Sequence, residues 1–151
     1  MQTNLTYYIF EGLLTGFADG NLVHISALSG GGGGSTRHRP SDTVNNPYME
    51  GLKTVSTPAG HVHGGPLPPG TYTIKHPTVN RHLGLSAELV PKRTDAMGRS
   101  GFYIHGRGPH GSDGCIVPLD LGQFQQLMHA LKMSNGGNLV VAERMGGERF
   151  A

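Results

Sequence analysis

The sequence is poor in cysteine, tryptophan and charge. Of its 151 residues one is Cys and none is Trp, and charged residues make up 15%, against about 25% in ordinary globular domains. A single cysteine, Cys115, excludes an internal disulfide and a zinc site built from several thiolates. The low charge content argues against a charge-rich disordered chain.

Long apolar runs and dense basic runs are also missing. No stretch of about 18 apolar residues occurs, so no membrane-spanning helix or membrane insertion is expected. Lys and Arg total 12 against 10 Asp and Glu, and no basic run exceeds Lys92-Arg93, so nucleic-acid binding is not expected. The first Lys or Arg is Arg37, so the N-terminus lacks the basic region of a secretory signal peptide.

Glycine, in contrast, is abundant, with 25 Gly beside 10 Pro. Most glycines stand singly or in pairs between apolar runs, which is typical of a turn-rich β domain. The run Gly30–Gly34 lacks the Gly-Lys-Ser/Thr of a phosphate-binding loop, and we interpret it as a flexible lid or linker. It belongs to a Gly/Pro-rich loop region, about residues 29–69, in which periodicity is lost.

The remaining pattern predicts one mainly β domain over residues 1–151, with a single late helix. Asp120 is suited to cap that helix, and Gly136-Gly137 ends it. Its buried face is predicted to consist of Leu121, Phe124, Leu127, Met128 and Leu131. Alternation and β-branched residues predict strands at Leu5–Phe10, Leu22–Ala27, Thr71–Lys75, Leu83–Leu89, Phe102–Ile104 and Asn138–Ala142.

The segment from His105 to Cys115 concentrates the chemistry. An imidazole near a thiol takes its proton and holds the two groups as a thiolate–imidazolium pair, which makes the sulfur nucleophilic. A turn between neighbouring strands can bring His105 within reach of Cys115, and Gly114 lets backbone approach a substrate closely. The amides of Gly114 and Cys115 can then face a developing oxyanion, with Ser112 orienting the turn. The alternative is that Cys115 is a small buried apolar residue and His105 an ordinary strand-end residue.

Other polar residues are weaker candidates. His110, in the same loop, competes with His105 as the base and is also a candidate substrate-binding residue. Arg99 and Arg107 are suited to bind substrate carboxylates, because guanidinium matches carboxylate in two-point geometry; otherwise they are solvated loop residues. His61 and His63 lack a third ligand at a telling spacing, so no metal and no cofactor is predicted.

His105 followed by Ser112-Asp113-Gly114-Cys115-Ile116 resembles the active-site signature of the L,D-transpeptidases (YkuD-type catalytic domain). In that family a His precedes a Ser/Thr-x-Gly-Cys block. The short spacing is similar to that of the type VI secretion L,D-transpeptidase effectors, and Asp113 departs from the His usual in housekeeping members. A carboxylate there opposes thiolate formation unless it points away from the thiol, as we expect. Further matching segments extend the likeness from about Tyr7 to Val141: Ser29-Gly30, Asn45-Asn46-Pro47, Gly65–Ile74 and Gly98–His105.

The resemblance implies a β-sandwich-like catalytic domain acting on peptidoglycan stem peptides. Cys115 would attack after the L-centre of meso-diaminopimelate and release D-Ala, with His105 carrying the proton. The acyl group would pass to water, as in an L,D-carboxypeptidase, or to an amine, as in cross-linking and D-amino-acid exchange.

The effector likeness and the missing signal peptide indicate an antibacterial toxin secreted into a target cell's periplasm. Its expected partners are then an immunity protein and a secretion-machine component. Two alternatives stay open, a non-catalytic peptidoglycan-binding module and a cytosolic Cys/His hydrolase unrelated to the cell wall.

Overall fold

Short apolar runs separated by glycine turns form strands throughout the chain. The computed structural model describes residues 1–35, 42–53, 55–57, 60–62, 64–92, 96–108 and 114–146, with the backbone alone for 55–57 and 60–62. The elements are β1 (Asn4–Tyr8), β2 (Leu13–Ala18), β3 (Asn21–Ser29), β4 (Val55–Thr57), β5 (Gly60–Val62), β6 (Gly70–Ile74), β7 (Thr78–Asn80), β8 (Gly84–Pro91), β9 (Phe102–His105), β10 (Ile116–Pro118), α1 (Leu121–Met133) and β11 (Gly137–Ala142).

Within the described residues, nine strands form one sheet in the order β6-β11-β1-β2-β3-β10-β9-β8-β7, and β4 pairs with β5 separately. Strand β6 pairs with β8 as well as with β11, so the sheet closes on itself. Two neighbouring pairs are parallel, β1 with β11 and β9 with β10. In the second of these pairs, His105 is the last residue of β9 and Cys115 directly precedes β10.

The core fills the inside of this sheet and the space beneath α1. Its largest fully buried side chains include Tyr7, Tyr72 and Phe102. Helix α1 begins where the sequence predicts, since the Asp120 side chain accepts a hydrogen bond from the Gln123 N–H at 2.9 Å. Its apolar face packs on β2, β3, β8 and β10. No helix in the described ranges is long and apolar enough to span a membrane.

The mainly β class with one helix after Cys115 is confirmed, but three details differ. Leu121 is 66% exposed and does not belong to the buried face of α1. Strand β2 lies between the two predicted N-terminal strands, giving a three-stranded meander. Gly16 interrupts the apolar alternation of β2 because a side chain there would meet the Asn4 carbonyl oxygen. The third difference concerns the glycine run.

Gly30–Gly34 is a buried, tightly packed turn, so the prediction of a flexible lid is wrong. Four of the five glycines have positive φ, from 61° to 83°. A Cβ on Gly30 would lie 2.2 Å from the Gly65 carbonyl carbon, and one on Gly34 would lie 2.4 Å from the Val117 side chain. Glycine is required at these two positions because the turn after β3 packs directly against residues 65–66 and against β10.

Candidate active site

The candidate base and nucleophile lie at the ends of two paired parallel strands. In the pairing of β9 with β10, Ile104 lies opposite Ile116. His105 follows the first of these residues and Cys115 precedes the second. Ile104 and Ile116 both belong to the core, so this pairing anchors the backbone directly beside His105 and Cys115.

The thiol of Cys115 lies at the edge of the core, with the residue 8% exposed. Its Sγ donates a weak hydrogen bond to the Gly101 carbonyl oxygen at 3.8 Å. This contact links the thiol to the residue that directly precedes β9.

The imidazole of His105 is oriented by the backbone. His105 is 4% exposed, and its Nδ1 lies 2.8 Å from the Gly106 carbonyl oxygen. A carbonyl only accepts, so Nδ1 carries the hydrogen and Nε2 carries the lone pair in the neutral ring. Nε2 is buried and has no hydrogen-bond partner among the residues that the structure describes. This ring nitrogen is therefore suited to accept a proton.

Burial lowers the pKa of His105 below its ordinary value of 6.5, and the Gly106 hydrogen bond opposes this more weakly. The imidazole is thus neutral at pH 7. The sequence predicts a thiolate–imidazolium pair, whereas the burial of His105 favours a neutral imidazole.

A proton titration of His105 distinguishes the two forms. Because burial disfavours the imidazolium, the proton leaves at lower pH, and we expect an NMR titration midpoint below 6.5. The resonance is assigned by its loss in His105→Gln. In Cys115→Ala the midpoint stays below 6.5. A midpoint above 7 that falls in Cys115→Ala would instead establish the ion pair.

Gly114 fits beneath the nucleophile because it has no side chain. Its φ is +110°, and a Cβ there would lie 2.6 Å from Arg99 Nη2 and 2.9 Å from the Phe102 ring. Its carbonyl oxygen accepts a hydrogen bond from Ser29 Oγ at 3.1 Å. The predictions for His110, Ser112 and Asp113 lie outside the described residues and stay predictions.

Arg99 is buried beside this turn, with 8% exposure, so it is not a solvated loop residue. Its guanidinium donates to the carbonyl oxygens of Glu50 at 2.6 Å, Pro66 at 2.7 Å and Gly65 at 2.8 Å. It also lies over the Phe102 ring, 5.4 Å from the ring centroid. These contacts make Arg99 a clamp between the segment before β9 and two loops, and its substrate-binding role stays a prediction.

Arg107, in contrast, is exposed. It lies at a cavity of about 330 Å³ whose other lining is mostly apolar and includes Leu85, Gly106 and Phe124. A cation beside an apolar wall suits a carboxylate with a small hydrocarbon body. The substrate-binding role of Arg107 stays a prediction.

Two buried serines near the site are absent from the sequence-based set of site residues. Ser86 lies directly opposite His105 in the pairing of β8 with β9, and its Oγ has no partner in the described ranges. Ser29 contacts Gly114 from β3. The sequence does not reveal Ser86, because it stands among the apolar positions of β8. It does not reveal Ser29 either, because only the order of strands in the sheet brings Ser29 to the site.

Metal binding finds no support in the described part of the chain, where His, Cys, Asp and Glu form no group of three. The side chains of His61 and His63 lie outside the described residues.

Comparison with known proteins finds no matching family model and no matching curated protein. The L,D-transpeptidase (residues 123–326) from Xylanimonas cellulosilytica aligns with a TM-score of 0.54 at 15% identity, over 93% of this chain and 60% of that one. L,D-transpeptidase 3 from Mycobacterium tuberculosis, in complex with a faropenem-derived adduct, aligns with a TM-score of 0.44 at 16% identity, over the same shares. The chain thus spans about 60% of the length of both structures, and its fold is similar to that of an L,D-transpeptidase domain.

Proposed function

We propose that this chain is a cysteine-dependent L,D-transpeptidase or L,D-carboxypeptidase acting on peptidoglycan stem peptides. The observation that carries the proposal is the pairing of Ile104 in β9 with Ile116 in β10, because His105 and Cys115 are the chain neighbours of these two residues. The orientation of the His105 ring, with the lone pair on Nε2, supports its role as the base. The fold supports it independently. It requires no metal and no cofactor.

In the proposed first half-reaction, His105 Nε2 takes the thiol proton as Cys115 Sγ attacks the carbonyl at the L-centre of meso-diaminopimelate. A sulfur–carbon bond forms and the carbonyl oxygen becomes an oxyanion. The bond to the D-Ala nitrogen then breaks, and the imidazolium returns its proton to the departing amine. The products are D-Ala and a thioester on Cys115.

In the second half-reaction, water or an amine attacks the thioester carbonyl. His105 accepts the attacking group's proton and returns a proton to the sulfur as the sulfur–carbon bond breaks. Water gives a shortened stem, and an amine gives a cross-link or an exchanged D-amino acid. The choice depends on access to the thioester, since the Cys–His pair is the same in both.

We also propose that the protein is an antibacterial effector acting in a target cell's periplasm, with an immunity protein and a secretion-machine component as partners. The support for this is the spacing from His105 to the Ser112–Cys115 block, which resembles that of the type VI effectors.

The test is the muropeptide profile of isolated peptidoglycan after incubation with the protein. We expect tetrapeptide stems to lose D-Ala, or to exchange it when a free D-amino acid is added, as measured by mass spectrometry. We expect export to the periplasm of a Gram-negative host to arrest growth.

Cys115→Ala is the control and should leave both muropeptides and growth unchanged. A binding module would bind peptidoglycan without altering it. A hydrolase unrelated to the wall would react with thiol reagents and leave the profile of the wild type unchanged. Trimming by Cys115→Ala would rule out the cysteine mechanism.

A further inference from the structure

Behind the candidate nucleophile a chain of buried hydrogen bonds ends on the peptide group between Gly114 and Cys115. It begins at Tyr7, whose hydroxyl donates to Asn45 Oδ1 at 2.7 Å and also lies 3.1 Å from the Ala27 carbonyl oxygen. Burial raises the pKa of Tyr7 above its ordinary value, so the hydroxyl stays a donor.

Asn45 holds both main-chain groups of Ser29. Its Oδ1 accepts from the Ser29 N–H at 2.8 Å, and its own N–H donates to the Ser29 carbonyl oxygen at 2.9 Å. The backbone of Ser29 is therefore fixed from one side, and its side chain is left to bond elsewhere.

The hydroxyl of Ser29 is fully buried and has a set direction. Its Oγ accepts a hydrogen bond from the Leu67 N–H at 2.9 Å. A hydroxyl has one hydrogen to donate, and here it goes to the Gly114 carbonyl oxygen at 3.1 Å. Ser29 thus ties the Gly114 peptide to two other segments of the chain.

A trans peptide is planar, and its N–H points opposite to its C=O. Because the Gly114 carbonyl is held toward Ser29, the N–H of Cys115 points away from Ser29. We infer that Ser29 is a positioning residue that fixes the Cys115 N–H as the oxyanion donor, a role that rests on the proposed function of Cys115 as an acylated nucleophile. Without the Ser29 hydroxyl, the peptide between Gly114 and Cys115 is free to rotate, and the Cys115 N–H no longer points in a fixed direction.

Two chemical probes separate this role from a general effect on structure. With p-nitrophenyl acetate, Cys115 Sγ bonds to the acetyl carbon, the thiol proton passes to His105, and p-nitrophenolate leaves through a tetrahedral oxyanion. With iodoacetamide, the sulfur displaces iodide from a saturated carbon and no oxyanion forms. Only the first reaction uses the oxyanion donor.

For Ser29→Ala we expect acylation to slow by about 10- to 100-fold, somewhat less than the loss of a whole oxyanion donor, and alkylation to stay within about twofold. Peptide mapping assigns both products to Cys115. Ser26→Ala makes the same change at an exposed serine of β3 and should keep both rates.

The inference is wrong if, in Ser29→Ala, the rate of acylation and the rate of alkylation fall by factors that differ by less than about fivefold. If Ser29→Ala does not fold, Ser29→Cys, with a weaker donor of similar shape, is judged by the same ratio. The proposed function fails separately, when the wild type is acylated by the ester and leaves muropeptides unchanged.

Discussion

Replacing Cys115 and His105 together by alanine is expected to lower kcat/KM no further than replacing either one alone. Each single change should cost about 10⁴-fold or more, as for other nucleophile–base pairs. A thiol without its base stays protonated, and a base without its thiol has no proton to take. Kinetics of D-Ala release from a tetrapeptide stem measure all three variants.

His129→Ala is the matched control, since His129 is an exposed histidine on α1 and its loss should leave kcat/KM unchanged. Losses that multiply in the double variant would mean that Cys115 and His105 act independently. That outcome would contradict a shared proton and point to another residue, such as His110, as the base.

Gly30→Ala is expected to destabilise the protein by about 4 kcal/mol or more, enough to unfold many domains of this size. Two costs add. The residue has a φ of +77°, which an L side chain occupies at about 1–2 kcal/mol. The new Cβ would also meet backbone atoms of Gly65 and Pro66 at 2.2–2.5 Å, and backbone cannot swing aside as a flexible side chain can. Urea unfolding followed by circular dichroism gives the change.

Gly84→Ala isolates the first cost. Gly84 has a φ of +72° and no atom within 4 Å of an added Cβ, so we expect a loss of only about 1–2 kcal/mol. Equal losses in the two variants would show that close packing at the glycine run contributes nothing. That result would support the flexible lid or linker that the sequence predicts.

Elements determined by neighbouring residues were predicted well from the sequence. The helix begins at the Asp120 cap and ends before Gly136 because capping and the loss of apolar periodicity are local signals. The same holds for β8 and β11, whose apolar alternation is continuous. The sequence does not indicate β2, because Gly16 breaks its apolar pattern. It also does not distinguish a packed Gly30–Gly34 from a mobile one, because glycine runs look alike in both cases.

The candidate site divides in the same way. His105 and Cys115 stand out because their residue types carry the chemistry. The contacts around them depend on the sheet order, which brings Ser29 to Gly114 across 85 positions and Ser86 to His105 across a strand pair. Arg99 illustrates the limit, since an arginine that clamps three carbonyl oxygens and one that binds a substrate carboxylate are identical in sequence.

The parallel pairing of β1 with β11 determines when the chain can become native. Partners such as Asn4 and Asn138 lie 134 positions apart, so nearly the whole length must close into one loop before they meet. Contacts of such long range make folding slow. During synthesis β1 lacks one of its two neighbouring strands until that strand, β11, has left the ribosome. The sheet therefore closes only after β11 has been translated, rather than growing strand by strand.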